Sequence, residues 1–222
     1  MKPLFIMLLT THKNKLNQEN CISTWLDGFE DYAFTTDTST EVGNQWEVTD
    51  DDSYNSGAIK TINTFQKLVK EKYYDKYEWF FYCDDDTCVN VKKILEFIQT
   101  ADKNVVHSQC AHCWPVDKSL LSISGGGGYL IHKNILKEKG YPELNPIPGS
   151  MFGDVQVALW LRKNNIEKKH TEFIRGQTPE DCGFNIRKKQ DRNEMRNYMS
   201  FHYIKQKELM ETVNDIFNTE LE

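Results

Sequence analysis

Three consecutive carboxylates, Asp84-Asp85-Asp86, close the aromatic run Glu78-Trp-Phe-Phe-Tyr-Cys83. Adjacent aspartates repel one another, and either a surface position or a bound cation must offset that cost. Mg²⁺ and Mn²⁺ favour carboxylate oxygens and keep coordination positions open for substrate phosphates, so the pattern points to a nucleoside-diphosphate site. The structural alternative is a solvated acidic turn whose charges are favoured by the dipole of the next helix. A second run, Asp50-Asp51-Asp52, follows no apolar strand and leads into Ser53-Tyr-Asn-Ser-Gly57, a turn composition. It reads as a loop.

Other residues could complete a site. Gly125-Gly-Gly-Gly128 lacks the Lys-Ser/Thr of a P-loop and the G-x-G-x-x-G spacing, so it reads either as a flexible turn or as backbone that lets a sugar or acceptor come close. Asp154 begins a helical stretch and is either a cap or a carboxylate aimed into a cleft. His202 lies in the aromatic stretch Ser200-Phe-His-Tyr203, where a lone histidine is ordinarily a hydrogen-bonded packing group. His107, Cys110, His112 and Cys113 are four zinc-ligand types, but they crowd into one short segment with no second pair at finger spacing, which argues against structural zinc. Cys83 and Cys88 read as small buried apolar residues, and the six scattered cysteines as reduced thiols. Trp114, Tyr129 and Tyr141 could stack on a ligand ring or, as often for aromatic residues in loops, serve as packing groups.

The elements that must position these groups alternate. Leu4 to Leu9 is a continuous apolar run, the pattern of a strand covered on both faces. A helix is expected over 17–25, ended by Asp27-Gly28, then a strand over 32–34 closing on Thr35-Thr-Asp37. A second amphipathic helix carries Ile59, Ile62, Phe65, Gln66, Leu68 and Val69, with Asn55 or Ser56 as cap. Helices are expected over 89–98, 154–161 and 209–217, with short strands over 120–123 and 129–131. No repeat or linker interrupts the 222 residues, so a single α/β domain spanning 1–222 is expected, with a Rossmann-like, mixed but mostly parallel sheet flanked by helices.

Composition narrows the function classes. Lys and Arg number 27 against 33 Asp and Glu, a net charge of −6, and no basic block could neutralise a run of phosphates, which excludes a nucleic-acid partner. No apolar run is long enough to cross a bilayer, and no signal-peptide cleavage pattern follows the first strand; a cytoplasmic protein without a transmembrane segment is expected.

Taken together, these residues resemble the Fringe-like glycosyltransferases, the family 31 group that includes the core-1 galactosyltransferases. Thr10-Thr11 with Thr24-Trp25 resembles the family's opening strand and helix, and Phe34-Thr-Thr-Asp37 its second strand end. Trp79-Phe-Phe-Tyr-Cys-Asp-Asp-Asp-Thr-Cys-Val-Asn90 is similar to its signature, Ser124-Gly-Gly-Gly-Gly-Tyr129 to its glycine motif, Gly153-Asp154-Val155 to its acidic-Asp-Val motif and Phe201-His202 to its terminal histidine motif. The likeness implies a glycosyltransferase A-type (GT-A) fold, a Mn²⁺ cofactor with Mg²⁺ as substitute, a nucleotide-sugar donor, usually of uridine diphosphate, and transfer with inversion to a hydroxyl of a glycan or glycoprotein acceptor. By motif position it implies Asp86 and His202 as metal ligands and Asp154 as catalytic base. Thr10, Thr11, Lys15, Asp37, Asp84, Asp85, Gly126 and Gly127 would bind the donor, with Asp84 also supporting the cluster. Three departures stand out: Gly153 where the family has an acidic residue, Ala158 where a glycine often follows, and no anchor and stem of the Golgi members. The last suggests a microbial or viral enzyme. Two rivals are a haloacid-dehalogenase-type phosphatase, whose nucleophile loop Asp84-x-Asp86 resembles, and a non-catalytic nucleotide-sugar or glycan-binding module.

Overall fold

The computed structural model describes residues 1–53, 56–112, 119–145 and 152–219. Its strands are β1 Lys2–Leu9, β2 Tyr32–Thr36, β3 Gln45–Glu47, β4 Tyr77–Asp84, β5 Cys88–Val89, β6 Val106–Ser108, β7 Cys110–His112, β8 Leu121–Ile123, β9 Tyr129–His132, β10 Lys168–His170, β11 Ile174–Arg175 and β12 Ser200–Phe201. Its helices are α1 Lys15–Ile22, α2 Gly57–Lys70, α3 Val91–Phe97, α4 Lys133–Lys139, α5 Gly153–Lys163, α6 Lys189–Met195 and α7 Lys207–Asn218.

Seven strands form the central sheet in the order β10-β6-β9-β4-β1-β2-β3. Only β9 runs against its neighbours, β4 and β6; the other pairs are parallel. The apolar runs of β1 and β4 are continuous because both faces are covered. Leu4, Ile6 and Leu8 point with Trp79, Phe81 and Cys83 into a layer formed by α1, α3, α6 and α7. Phe5, Met7, Phe80 and Tyr82 point the other way, into α2, α4 and α5. The sheet therefore sits between helical layers, as the alternation predicts.

Several boundaries shift for physical reasons. The first helix spans Lys15–Ile22 rather than 17–25; Trp25 is buried just beyond it, and Gly28 takes the left-handed φ of 74° in the turn. Val89 belongs to β5, paired with Ser200, so α3 starts only at Val91 with the Asn90 side chain accepting from the Lys93 N–H at 3.1 Å. The phase of α2 leaves Ile59 exposed and turns Lys60, Thr61 and Thr64 inward beside Phe65 and Leu68. Ser56 precedes α2 without capping it; its hydroxyl donates to the Ser53 carbonyl at 2.7 Å, and Asn55 lies outside the described residues. No helix among the described residues is long and apolar enough to cross a membrane.

Candidate active site

Register explains how the aspartates leave the sheet. Leu9 and Asp84 are partners at the carboxyl ends of β1 and β4, and the Asp85 N–H still reaches the Leu9 carbonyl at 3.1 Å. There the ladder ends, and the three aspartates form the turn into β5, closed by the Thr87 N–H on the Asp84 carbonyl at 3.2 Å. β5 then pairs antiparallel with β12, Cys88 opposite Phe201, so the residue after Phe201 arrives beside the turn. That residue is His202, and the Ile204 N–H bonds to the Asp86 carbonyl at 2.8 Å to hold it there.

The result is a convergent cluster. His202 Nε2 lies 2.9 Å from Asp86 Oδ1 and 3.5 Å from Asp84 Oδ2. One ligand atom from each of Asp84, Asp86 and His202 falls within 4.8 Å of the others, the one such cluster among the described residues. Burial by itself would depress the imidazole, but its hydrogen bonds to Asp84 and Asp86 outweigh that and push it up to about 9. Two carboxylates and an imidazole aimed at one point could hold a divalent cation, and the chemistry of these residues fits such an ion. Asp84 joins the cluster itself rather than only supporting it.

Asp85 does something else. It is turned inward, accepting a hydrogen bond from the Thr10 hydroxyl and one of 3.0 Å from the Asn17 amide. Burial raises its carboxyl to about 7 against those two bonds, with the Asp86 and Asp84 charges adding to the rise. Thr10 is in turn bonded by Gln18 at 3.0 Å, so the end of β1, α1 and the aspartate turn form one hydrogen-bonded unit.

These groups open onto a cavity of about 580 Å³ at the carboxyl edge of the sheet, where ligands bind in open α/β folds. Asp154 faces it from the first turn of α5. It is not the helix cap: Phe152 holds that position, and Asp154 Oδ1 accepts from the Val155 N–H at 2.8 Å. Burial raises this carboxyl to about 6, opposed by that backbone bond and reinforced by the Asp84 charge. Gly153, the departure from the family pattern, is a packing requirement, since a Cβ there would overlap the Thr61 hydroxyl on α2.

Of the residues expected to bind the donor, Thr10, Thr11, Asp84, Asp85 and Gly126 line the cavity. Gly127, Lys15 and Asp37 are not among its lining residues. A Cβ on Gly127 would meet the Arg175 carbonyl at 2.6 Å, so this glycine lets two backbones approach, whereas Gly128 makes room for the Phe81 ring. Lys15 is exposed on α1. Asp37 is buried and occupied by His12 and by Lys60 Nζ at 3.2 Å. Lys60 is a cavity residue that sequence reasoning misses. It lines the cavity, is 2% exposed, and donates to the Thr10 carbonyl at 3.2 Å. The apolar stripe through Ile62, Phe65 and Leu68 does not mark Lys60, whose burial is set by its tertiary partners.

Of the stacking candidates, Tyr129 is fully buried, Tyr141 is half-buried with its hydroxyl accepting from Gln66 at 3.2 Å, and Trp114 lies outside the described residues. The aromatics that do line the cavity and are exposed are Phe152 and Tyr203. His107 Nε2 is engaged with the Asp102 carbonyl at 2.9 Å, and Cys113 lies outside the described residues. Cys21, Cys83, Cys88, Cys110 and Cys182 are free, the first three buried.

No protein-family model matches the sequence, and no curated protein matches it significantly. A solved structure does resemble it: a protein described as a glycosyltransferase involved in the glycosylation of the major capsid of PBCV-1 superposes with a TM-score of 0.50. The match has 15% identity and covers 94% of this chain and 98% of that one. The shared architecture is a glycosyltransferase-like fold.

Proposed function

We propose that this protein is a divalent-metal-dependent, inverting glycosyltransferase that moves a hexose-type sugar from a nucleoside-diphosphate sugar, a uridine diphosphate donor by the motif resemblance, to a hydroxyl of a glycan or glycoprotein. The observation that carries this reading is the meeting of Asp84, Asp86 and His202 in one cavity with the half-buried carboxylate of Asp154. The likeness to a glycosyltransferase structure supports it at the level of fold.

Asp86 and His202, with Asp84, would hold a cation, Mn²⁺ or Mg²⁺, which when bound supplies positive charge to the departing diphosphate. Thr10, Thr11 and Lys60 form the wall beside the aspartates, where hydroxyls and a buried ammonium can meet the donor. Lys60 is fixed in place by the Thr10 carbonyl and Asp37, so Asp37 acts on the donor only through it. Asp154 accepts the proton of the acceptor hydroxyl as that oxygen attacks the anomeric carbon opposite the leaving group. One base and one in-line attack give inversion. Phe152, exposed beside Asp154, offers an apolar surface on the acceptor side.

Melting of the chain with a panel of nucleotide sugars, with and without Mn²⁺, tests the assignment, because a true donor raises the melting temperature by mass action. The expected result is a rise for one donor class that requires the metal. Absence of any such rise, combined with hydrolysis of a simple aryl phosphate, would instead identify a phosphatase; a metal-dependent rise without turnover on any acceptor or water would identify a binding module.

A further inference from the structure

The glycine run invites the reading that it leaves room for a ligand, yet the place of a side chain on Gly126 is already filled. A Cβ built there would overlap the imidazole of His202, 2.0 Å from Cε1 and 2.4 Å from each ring nitrogen, while a Cβ on neighbouring Gly125 would stand 3.0 Å from the Cβ of Asp154. The Gly126 carbonyl accepts from the Thr87 hydroxyl at 2.7 Å and from the Asp84 N–H at 3.3 Å. The Gly127 carbonyl accepts from the Ser200 hydroxyl at 2.6 Å. The same short loop is thus bonded to the aspartate turn on one side and to the His202 segment on the other. Tyr203, in the left-handed region at φ 61°, stacks its ring on His202 with centroids 3.8 Å apart.

We propose that Gly126 is a positioning residue: its bare Cα forms the seat for the His202 imidazole, and its carbonyl ties that seat to the turn bearing Asp84 and Asp86, so that the three groups converge before any cation arrives. This inference rests on reading those three residues as metal ligands. Groups that orient a ligating histidine commonly change metal affinity 10–100-fold when altered. Gly126 does not lie in the positive-φ region, so alanine is compatible with its backbone and the substitution reports on the contact with the ring.

The test is a double-mutant cycle of Gly126→Ala and His202→Ala on the full chain, read in two ways: melting in chelator, and titration with Mn²⁺ alone. With His202 present, Gly126→Ala is expected to lower the melting temperature and to weaken Mn²⁺ binding by about 10-fold or more. With His202→Ala in the background, the ring is gone and the same substitution is expected to change neither. If Gly126→Ala alone does not fold, the double variant is expected to fold and to melt like His202→Ala. The proposal is overturned if Gly126→Ala is harmless beside His202, if it costs as much in the absence of the ring, or if the double variant also fails to fold. Should the wild-type chain bind no Mn²⁺, the metal reading falls, and the metal-free melting cycle alone decides whether Gly126 seats His202.

Discussion

The chain carries the tripeptide Asp-Asp-Asp twice, in two backbones that treat the charge differently. In the loop at 50–52 each carboxylate meets its own solvent or a local partner: Asp51 accepts from the Ser53 N–H at 2.9 Å, and Asp52 pairs with Lys13 at 2.6 Å on the surface. At the end of β4, Asp85 and Asp86 are 3% and 7% exposed, and the three side chains separate toward two sets of partners. Asp85 turns inward onto Thr10 and Asn17, while Asp84 and Asp86 converge on His202. Solvent disposes of charge in the first run. In the second, Asp84 and Asp86 share the imidazole of His202, with Lys205 Nζ 3.9 Å from Asp86, at the wall of a cavity where a divalent ion could take the place of the imidazole proton.

The largest effect should come from neutralising one residue of the strand-end run. Asp86→Ala is expected to abolish metal-dependent donor binding, measured by titration with and without Mn²⁺; donor binding that survives unchanged would erase the distinction between the two runs. Asp154→Asn is expected to keep donor binding and lower transfer by about 10²-fold or more, the range for a general base. Unchanged turnover would remove Asp154 from that role.

Asp37, at the neighbouring strand end, sharpens the comparison because it has a built-in cation. Asp37→Asn leaves Lys60 buried without its carboxylate and is expected to cost roughly 3–5 kcal/mol of stability in denaturant melts. Although burial pushes the Asp37 carboxyl up, His12 and Lys60 hold it well below the usual carboxylate range. Its folded pKa is thus depressed, so its contribution is complete above about pH 4 and is lost as the pH falls further; the Asn variant should lack that part of the acid limb. A smaller effect is expected in the pH profile of transfer. Asp154 must be ionised to act, and with its carboxyl raised to about 6 the rate should decline below that pH, by about tenfold per unit, rather than only near pH 4. The smallest effect belongs to the loop run: Asp52→Ala should leave both metal binding and melting temperature unchanged, since its partner Lys13 is solvent-exposed.

Much of the scaffold was legible because it is written locally. The apolar runs of β1 and β4, the stripe of α7 through Val213, Ile216 and Phe217, and the carboxylates at the end of β4 all follow from burial and periodicity. The strands β3, β6, β7, β10 and β11 were not legible. At two or three residues each they carry no period, and pairing alone defines them. Helix α2 and most of its buried stripe were visible, since Ile62, Phe65 and Leu68 do face the core; Ile59 is exposed instead, and Lys60 is buried with its ammonium held by Asp37 and the Thr10 carbonyl. In the glycine run the sequence announced close approach and left open what approaches. At Gly126 it is the His202 ring, and at Gly127 the Arg175 backbone.

The sequence by itself determined that this chain forms an α/β sheet with acidic residues at a strand tip, since buried apolar runs must end where the charges begin. Only the tertiary structure decided which charges meet. Whether Asp84, Asp86, His202 and Asp154 share a cavity depends on the pairing of β5 with β12 and on the seating of α5 against α2, contacts between segments far apart in the chain. No local pattern encodes such contacts, because they form only when the whole sheet and its helical layers close around one core.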